Sequence, residues 1–516
     1  MATSYDEFAY TSHSYPDTQI AHQYIVGRVL GLAPCDIHKA RVLELGCASG
    51  GNLVPMAAAY PGSVFLGIDQ SERQIAVGRQ LIAEAGLKNA KIEAMSILDF
   101  PAEMGEFDYI VCHGVFSWVA KPVQDAILGI IQRHLSESGL AVVSYNTLPG
   151  WNAVRSVRDM MLYHAKFFAE PERKVKEARS LLKFMRDSTA TTGGPYGTVL
   201  DTELKLLARQ GDYYLYHDHL EEVNDQFYLY EFMERAAACD LSYVGDSDLP
   251  SMFLGNMSKE VVSVLGATND QIRQEQYMDF VRNRRFRKTI LCRRGQKTSL
   301  SITPDRLEPF YLRALIKPTP DNPVDLSGIH VFKGPGDFNL TTRTPETTAV
   351  VRNFVESTAT GPVRECDLVA TFRSRHPEYA VDRMLAAFRE FSVRLLFAGA
   401  ISLSVDPWLT VTVAGERPKA LALARHQVRL GLPVTNERRE TVGLEPVARL
   451  FLGQLDGSRT KPELALWISK QIAGGALKIQ SVTPGAVVSE QEHGQIANGI
   501  LDMLLKQVAG MALLEA

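Results

Sequence analysis

Residues 41–52 read Arg-Val-Leu-Glu-Leu-Gly-Cys-Ala-Ser-Gly-Gly-Asn, an apolar strand pattern that ends in a turn of small residues. Gly46, Ala48 and Gly50 carry little or no side chain, so the backbone of this turn can approach a ligand closely. A tight strand-to-helix turn can require glycine for its geometry alone, so the turn is weak evidence by itself. Its meaning depends on the segments that surround it.

The order of those segments indicates a nucleoside-binding βαβ unit. A strand at residues 42–45 is followed by a predicted helix at residues 53–59 and a second strand at residues 64–68. Asp69 closes the second strand, where it can meet the sugar of a nucleoside. Together these elements have the order and spacing of half a Rossmann fold.

More strands and helices alternate along the chain after this unit. Strands are predicted at residues 91–97, 107–112 and 140–145, with helices at residues 70–85 and 121–135 between them. Alternating strands and helices imply a parallel sheet. The first part of the chain is therefore predicted to be an α/β domain.

The turn lacks the Gly-x-Gly-x-x-Gly motif that is usual in dinucleotide-binding enzymes, where a helix N-terminus faces a pyrophosphate. The segment Glu44-Leu-Gly-Cys-Ala-Ser-Gly50 instead resembles motif I of the class I S-adenosylmethionine-dependent methyltransferases. This resemblance implies S-adenosylmethionine as the cofactor, with the acidic residue helping to hold its methionyl amino group.

Four longer motifs resemble a narrower group. They lie at residues 5–16 (Tyr-Asp-Glu-Phe-Ala-Tyr-Thr-Ser-His-Ser-Tyr-Pro), 43–52, 113–119 (His-Gly-Val-Phe-Ser-Trp-Val) and 144–151 (Ser-Tyr-Asn-Thr-Leu-Pro-Gly-Trp). The group is the bacterial methyltransferases with a methyltransferase regulatory domain, which include the protein-lysine methyltransferases acting on rickettsial outer-membrane protein B. The resemblance covers about residues 5–295, and more loosely the rest, and it is specific for the family but not for the substrate.

The resemblance also implies where the cofactor binds. Asp69 would bind the ribose hydroxyls, Ile97 would pack on the adenine, and the turn at residues 113–115 would face the sulfonium. Ser96 stands where these enzymes usually place an adenine-binding Asp, so either Ser96 or Asp99 is expected to fill that role. The expected cofactor-binding residues are Tyr10, Glu44, Gly46, Ala48, Ser49, Gly50, Asn52, Asp69, Gln70, Gln74, Ser96, Ile97, His113 and Gly114.

Aromatic and polar side chains at the same strand ends predict the methyl-acceptor site. Tyr145 and Asn146 are expected to orient or deprotonate the acceptor, and His113 is a third catalytic candidate whose backbone can matter more than its imidazole. Aromatic faces attract a sulfonium or an alkylammonium by cation–π interaction. Ordinary packing explains each residue alone, but their shared position favours a site. The expected substrate-binding residues are Tyr15, Phe116, Trp118 and Trp151.

A chain of 516 residues exceeds what one hydrophobic core normally serves, so three or more domains are expected. The predicted class is α/β: a Rossmann-like class I methyltransferase core with a helical insertion, followed by mixed α/β and winged-helix-like C-terminal domains. The predicted domains are a core (1–150), a helical insertion that acts as a lid or dimerisation element (151–215), a regulatory-type segment (216–300), a middle domain (301–415) and a winged-helix-like domain (416–516).

Three local patterns refine the later domains. Residues 226–239 are predicted to be helical and to lead into a strand at residues 241–245, and residues 287–293 are predicted to form an antiparallel strand, so the regulatory-type segment can complete the sheet. Residues 349–369 and 446–467 are weakly alike, which fits a winged-helix or similar helical module in duplicate. Such modules bind DNA or proteins, and docking of a substrate protein is the favoured interpretation.

Charge and cysteine content limit the partners. A net charge of −4 gives no global attraction to nucleic acid or to an anionic membrane. The basic run at residues 282–294 is interpreted as a solvated strand edge rather than a nucleic-acid site. No apolar run is long enough to span a bilayer, and no signal peptide or metal-ligand spacing occurs, so a cytoplasmic enzyme without a metal is expected. The six cysteines are expected to be reduced thiols: Cys35, Cys47, Cys112, Cys239, Cys292 and Cys366.

Three functions remain open from the sequence. A protein-lysine N-methyltransferase follows from the family resemblance and from a C-terminal half large enough to dock a macromolecule, and a homodimer is compatible with it. A small-molecule O- or N-methyltransferase would have the same core. A non-catalytic regulator that binds S-adenosylmethionine is the third alternative.

Overall fold

The computed structural model describes residues 11–189, 194–319, 325–408, 410–475, 477 and 490–515. The chain divides into two compact units. The first comprises the described parts of residues 1–12, 17–80 and 88–302, and the second those of residues 13–16, 81–87 and 303–516.

An open sheet forms the middle of the first unit. Its parallel strands are β1 (Arg41–Leu45), β2 (Val64–Asp69), β3 (Ala90–Ala94), β4 (Phe107–Cys112) and β5 (Leu135–Thr147). They lie side by side in the order β3-β2-β1-β4-β5. Nearly every residue of β1 and β4 is buried, because helices cover both faces of a parallel sheet. This is the Rossmann-like core that the sequence predicts.

Four helices accompany these strands: α1 (Ile20–Val29), α2 (Leu53–Ala59), α3 (Glu72–Glu84) and α4 (Lys121–His134). The predicted strand at residues 91–97 is too long, since β3 ends at Ala94. Ser96 then caps a 3-10 helix at Ile97–Asp99, where its hydroxyl oxygen accepts a hydrogen bond from Leu98 N at 3.2 Å. A side-chain cap at this place ends the strand and turns the chain.

Four helices follow β5: α5 (Trp151–Ala165), α6 (Pro171–Thr189), α7 (Pro195–Leu207) and α8 (Asp212–His219). They enclose an apolar core of their own, in which Met161, Leu182 and Leu200 are fully buried. The guanidinium of Arg158 on α5 donates to the backbone carbonyl of Glu221, which lies just after α8, and so connects the first helix of the group to the segment that follows the last. The predicted helical insertion therefore has its own small core.

The sheet continues after the insertion. Its remaining strands are β6 (Gln226–Phe227), β7 (Leu241–Asp246) and β8 (Phe286–Arg293), and the helices beside them are α9 (Leu229–Ala238), α10 (Leu249–Met252), α11 (Lys259–Leu265) and α12 (Gln271–Arg282). β8 runs antiparallel between β5 and β7, and β6 pairs with the end of β5. The prediction of a helix from Gln226 is wrong for its first two residues, which pair with Asn146 and Thr147.

The interpretation of residues 282–294 as a solvated strand edge is also wrong. β8 has a neighbour on each side, and Arg287 is 1% exposed. Its guanidinium lies 2.7 Å from Asp279, 3.2 Å from Glu275 and 3.4 Å from Asp246. Much of this basic run therefore pairs with buried carboxylates of the same unit instead of covering an edge.

The second unit contains two modules, in each of which short antiparallel strands are followed by three helices. The first consists of β9 (Tyr311–Ala314), a small sheet of β10 (Lys317–Pro318), β11 (His330–Lys333) and β12 (Asn339–Thr342), then α13 (Pro345–Ser357), α14 (Glu365–Arg375), α15 (Val381–Phe397) and β13 (Ile401–Ser404). β13 pairs antiparallel with β9, and Val363 forms a single bridge to Leu312 of β9.

The second module also has short strands followed by three helices, but it begins with a further helix and has single bridges in place of the outer strands. It contains α16 (Ala422–Arg429), the hairpin β14 (Val434–Thr435) and β15 (Thr441–Val442), then α17 (Pro446–Leu452), α18 (Lys461–Ala473) and α19 (Glu490–Gly510). Ala420 bridges Leu514, and Lys419 bridges Asp456. The weakly alike segments 349–369 and 446–467 occupy equivalent places in the two modules. Three helices beside short antiparallel strands make the expected winged-helix-like fold.

None of the described helices is both long and apolar enough to cross a membrane. Within the same residues, no group of His, Cys, Asp and Glu side chains has the arrangement of a metal site.

Candidate methyl-transfer site

The turn after β1 has a backbone that requires small residues. Gly46, Ala48 and Gly50 have φ angles of 75°, 47° and 76°, all in the left-handed region. A Cβ atom on Gly46 would lie 2.4 Å from Val115 Cγ2, so this position has no room for a side chain. The Gly46 nitrogen donates to the carbonyl of Ile68 at 2.9 Å, which fixes the turn against the end of β2. The turn therefore exposes backbone at the edge of the sheet.

Asp69 stands at the end of β2, beside that turn. One carboxylate oxygen accepts a hydrogen bond from Ala48 N at 2.9 Å, and the other accepts one from Ser71 N at 2.9 Å. Each carboxylate oxygen has a second lone-pair site, so both can also accept from ligand hydroxyls. This geometry fits the expected role of Asp69 in binding a ribose.

Glu44 is a buried carboxyl, 4% exposed, near the end of β1. Its Oε1 accepts a hydrogen bond from Asn52 Nδ2 at 3.2 Å, while Oε2 has no hydrogen-bond partner among the described residues. Burial raises the pKa of Glu44 to about 8, the negative charge of Asp69 adds to the effect, and the Asn52 hydrogen bond opposes it. A ligand cation next to Oε2 would satisfy this atom and restore the carboxylate.

The residues at the turn therefore fit S-adenosylmethionine. The orphaned Oε2 of Glu44 matches a methionyl ammonium, and Asp69 matches a ribose. The other expected cofactor residues are placed less uniformly: Ser49, Asn52 and Gln74 are buried, Ser96 and Ile97 are half-buried, and Gln70 and Asp99 are exposed. Tyr10 lies outside the described residues.

The turn after β4 lies at the same edge of the sheet. Gly114 has a φ of 70°, and its nitrogen donates to Ser144 Oγ of β5 at 2.8 Å. The His113 ring packs edge-on against Phe286, with 6.0 Å between ring centroids. Burial lowers the pKa of His113 to about 4; Asp17 acts against this shift and Lys288 acts with it. The imidazole is therefore neutral at physiological pH.

Two neighbouring residues of β5 have different environments. Asn146 is 4% exposed, and its Nδ2 is buried with no hydrogen-bond partner in the described part of the chain. Tyr145 instead lies in the hydrophobic core, stacked on Phe232 at 4.2 Å, and its hydroxyl is hydrogen-bonded to Thr289 Oγ1 at 2.9 Å. Burial raises the pKa of Tyr145 well above its usual value. These contacts place Tyr145 in the core, and its catalytic role stays a prediction from the sequence.

The expected substrate-binding aromatic residues differ in burial and in the part of the fold to which they belong. Phe116 is fully buried in the core and packs against Phe232, and its place in the substrate site stays a prediction from the sequence. Trp118 and Trp151 pack edge-on with ring centroids 6.1 Å apart, and Trp118 is half-buried. Tyr15 belongs to the second unit and is half-buried.

Sequence reasoning missed two contacts of the N-terminal segment. Ser12 Oγ accepts a hydrogen bond from Gly51 N at 2.8 Å, and a Cβ atom on Gly51 would lie 2.6 Å from the Ser12 carbonyl carbon. The second glycine of the Gly50-Gly51 pair was the available signal, because it marks a close backbone approach. The ion pair between Asp17 and Lys288 was also missed, and nothing local in the sequence indicates it.

Together, the sheet topology and the cofactor turn define a class I S-adenosylmethionine-dependent methyltransferase. Comparison with protein families agrees along the chain. Residues 38–192 match the family described as "Methyltransferase domain", residues 211–293 match "Predicted methyltransferase regulatory domain", and residues 416–513 match "PKMT, C-terminal winged helix domain".

Two similar proteins cover almost the whole chain. Protein RP789 of Rickettsia prowazekii (strain Madrid E) is 36% identical over 485 residues, which are 92% of this chain and 87% of that protein. The structure of PKMT2 from Rickettsia typhi in complex with AdoHcy is 32% identical with a TM-score of 0.86, and the match covers 98% of this chain and 99% of that one. This chain therefore belongs to the PKMT family of S-adenosylmethionine-dependent protein-lysine methyltransferases.

Proposed function

We propose that the protein methylates lysine side chains of a substrate protein at the sheet edge where Glu44, Asp69 and Asn146 lie. The observation that carries this proposal is the buried Oε2 of Glu44, which has no partner among the described residues and is suited to a methionyl ammonium. When bound, S-adenosylmethionine supplies an electrophilic methyl group on a sulfonium. The protein supplies position and protonation state.

The cofactor residues are proposed to act as a group. Glu44 would pair with the amino group, Asp69 with the ribose hydroxyls, and the small residues of the turn would allow close backbone approach. Binding at these three points would fix the position of the reacting carbon. Methyl transfer then needs an acceptor nitrogen held about 3–3.5 Å away and in line.

The acceptor needs a neutral amine. A lysine with a pKa of about 10.4 is neutral in only about four molecules in ten thousand at pH 7. Asn146 and His113 are proposed to orient the amine, since Asn146 is a buried polar group near the end of β5 and His113 is a half-buried, uncharged imidazole that follows β4. The Trp118 and Trp151 pair is proposed to shield the alkyl chain of the acceptor, because aromatic rings also attract its cationic form.

Several finer expectations stay proposals. Residues 151–215 would act as a lid or a dimerisation element, and residues 301–415 and 416–516 would dock the substrate protein. A homodimer, a cytoplasmic location and an absence of nucleic-acid binding remain predictions from the sequence.

One assay tests the proposal. Purified protein is incubated with methyl-labelled S-adenosylmethionine and either candidate substrate proteins or a panel of metabolites, and modified residues are located by mass spectrometry. Label on lysine Nζ of proteins supports the proposal. Transfer to metabolites alone would favour a small-molecule methyltransferase, and cofactor binding without any turnover would favour a regulator.

A further inference from the structure

Three strand ends place polar side chains in a row at the proposed acceptor site. Cys112 of β4 pairs with Val143 of β5, so His113 lies next to Ser144. Ser144 in turn pairs with Lys288 of β8. Directly paired residues project their side chains from the same face of a sheet. Lys288 therefore lies on the face and at the edge where the β4 turn presents His113.

Asp17 is held to this row by its side chain and its backbone. The ammonium of Lys288 donates to Asp17 Oδ2. The hydroxyl of Ser247 donates to the backbone carbonyl of Asp17, and Ser247 N donates to the Lys288 carbonyl at 2.9 Å. His22 of α1 is hydrogen-bonded to the Ser247 carbonyl at 2.7 Å. The ion pair thus belongs to a network that joins the N-terminal segment to β7 and β8.

The charges that face His113 are those of this pair. Asp17 favours protonation of the imidazole, and Lys288 opposes it; on the β8 side the ring also contacts the uncharged Phe286. His22 interacts electrostatically with both members of the pair, and Asp248 interacts with Lys288. Any cation that enters beside His113 meets the same burial, the same field from Lys288 and the opposing field from Asp17. Burial and Lys288 favour loss of a proton from an amine at this place, and Asp17 opposes it.

We propose that Lys288 and Asp17 are positioning residues of the acceptor site. Lys288 disfavours a second cation beside His113, so the acceptor lysine reacts as a neutral amine, while Asp17 holds Lys288 in place and limits its field. This inference rests on the proposed function. It assigns a role to two residues that contact each other and not the reacting atoms.

The proton and electron count is simple. The acceptor ammonium loses one proton to solvent and keeps the electron pair on nitrogen. That pair forms the new bond to the methyl carbon, the carbon–sulfur bond breaks, and its electrons stay on sulfur. The products are a methylammonium side chain and S-adenosylhomocysteine.

The test measures the pH profile of kcat for lysine methylation, which reports ionisation of the bound acceptor, in the unaltered protein and in four variants. Lys288→Met leaves Asp17 facing the site, so the acid limb should move to higher pH by about half a unit or more. Asp17→Asn should move it to lower pH, and the double variant should return close to the original profile. Lys288→Arg keeps the charge and should keep the profile.

A second readout does not depend on activity. The His113 titration, followed by NMR of histidine-labelled protein and assigned with His113→Gln, should shift in the same directions. Lys91→Met is the matched control, because Lys91 forms an ion pair with Glu93 on β3, outside this network. Circular dichroism and AdoHcy affinity report folding.

The results distinguish a failure of the positioning role from a failure of the proposed function. Profiles and titrations that do not move, or that move in the same direction for Lys288→Met and Asp17→Asn, would overturn the positioning role. If the unaltered protein methylates no lysine, the proposed function itself fails, whereas lysine methylation with unshifted profiles sinks only this inference. A folded Lys288→Arg variant with the profile of Lys288→Met would also count against it.

Discussion

The carboxylate of Asp69 accepts a hydrogen bond from the backbone nitrogen of Ala48 at 2.9 Å. The acid at the end of β2 therefore holds in place the small-residue turn that follows β1. A single side chain links the two features that mark a nucleoside site in the sequence. It can shape the turn in the empty protein and bind a ribose in the loaded one.

Replacing Asp69 should weaken cofactor binding. Charge-assisted hydrogen bonds are worth about 1.5–3 kcal/mol each, so we expect Asp69→Ala to raise the dissociation constant for AdoHcy by at least about tenfold. Isothermal titration calorimetry measures this dissociation constant. Asp108→Ala is the matched control, because Asp108 accepts from Arg41 N at 2.8 Å at the start of β1, away from the turn. An unchanged constant in folded Asp69→Ala protein would remove Asp69 from the site.

Cofactor binding should release a proton through Glu44. With a pKa of about 8 the carboxyl is mostly protonated at pH 7, and pairing with an ammonium requires the carboxylate. AdoHcy affinity should therefore rise with pH and level off near pH 8, with about 0.9 proton released per molecule bound at pH 7. Calorimetry in buffers of different ionisation enthalpy counts these protons. In Glu44→Gln both effects should vanish; if they persist, another group is responsible.

Arg287 should be important for stability. Breaking a buried ion pair by removing one partner costs about 3–5 kcal/mol. Arg287→Met would leave Glu275 without its cation and would leave Asp246 and Asp279 with Arg284 alone. Urea unfolding should show a loss of this size. In Arg294→Met, which removes an exposed partner of Asp240, the loss should stay within about 1 kcal/mol. Equal losses in the two variants would contradict the burial argument.

The core could be predicted from sequence because its signals are local. β4 and α2 have the predicted bounds, since each is a short apolar segment with a turn on either side. The cofactor turn was equally readable, because small residues and Asp69 follow directly after strands. In such segments periodicity and neighbouring residues determine the structure.

The errors arose where burial depends on distant residues. Arg287 sits in a basic run, but its partners come from α12 and β7, and composition alone suggested an exposed edge. Tyr145 and Asn146 are adjacent in a strand and so face opposite sides. Only the position of Phe232 on α9 decides that Tyr145 faces the core. The sequence pattern around residues 145 and 146 does not show which of the two side chains faces the core.

The second unit should be required for methylation of a protein substrate but not for cofactor binding. A small acceptor needs only the core and a lid, whereas a folded protein needs a wide docking surface, and the two winged-helix-like modules add residues 303–516 to a core that already contains the described cofactor residues. Removing those residues should leave the AdoHcy dissociation constant within about threefold, under 1 kcal/mol, while methylation of a protein substrate is lost.

A short lysine-containing peptide provides the internal control for this truncation. Its methylation should survive, because the peptide needs the acceptor site but no extended surface. Circular dichroism and AdoHcy titration must first show that the shortened chain is folded. If the folded truncation methylates the protein substrate with undiminished kcat/KM, the winged-helix-like modules do not dock it, and the recognition surface must lie on the first unit.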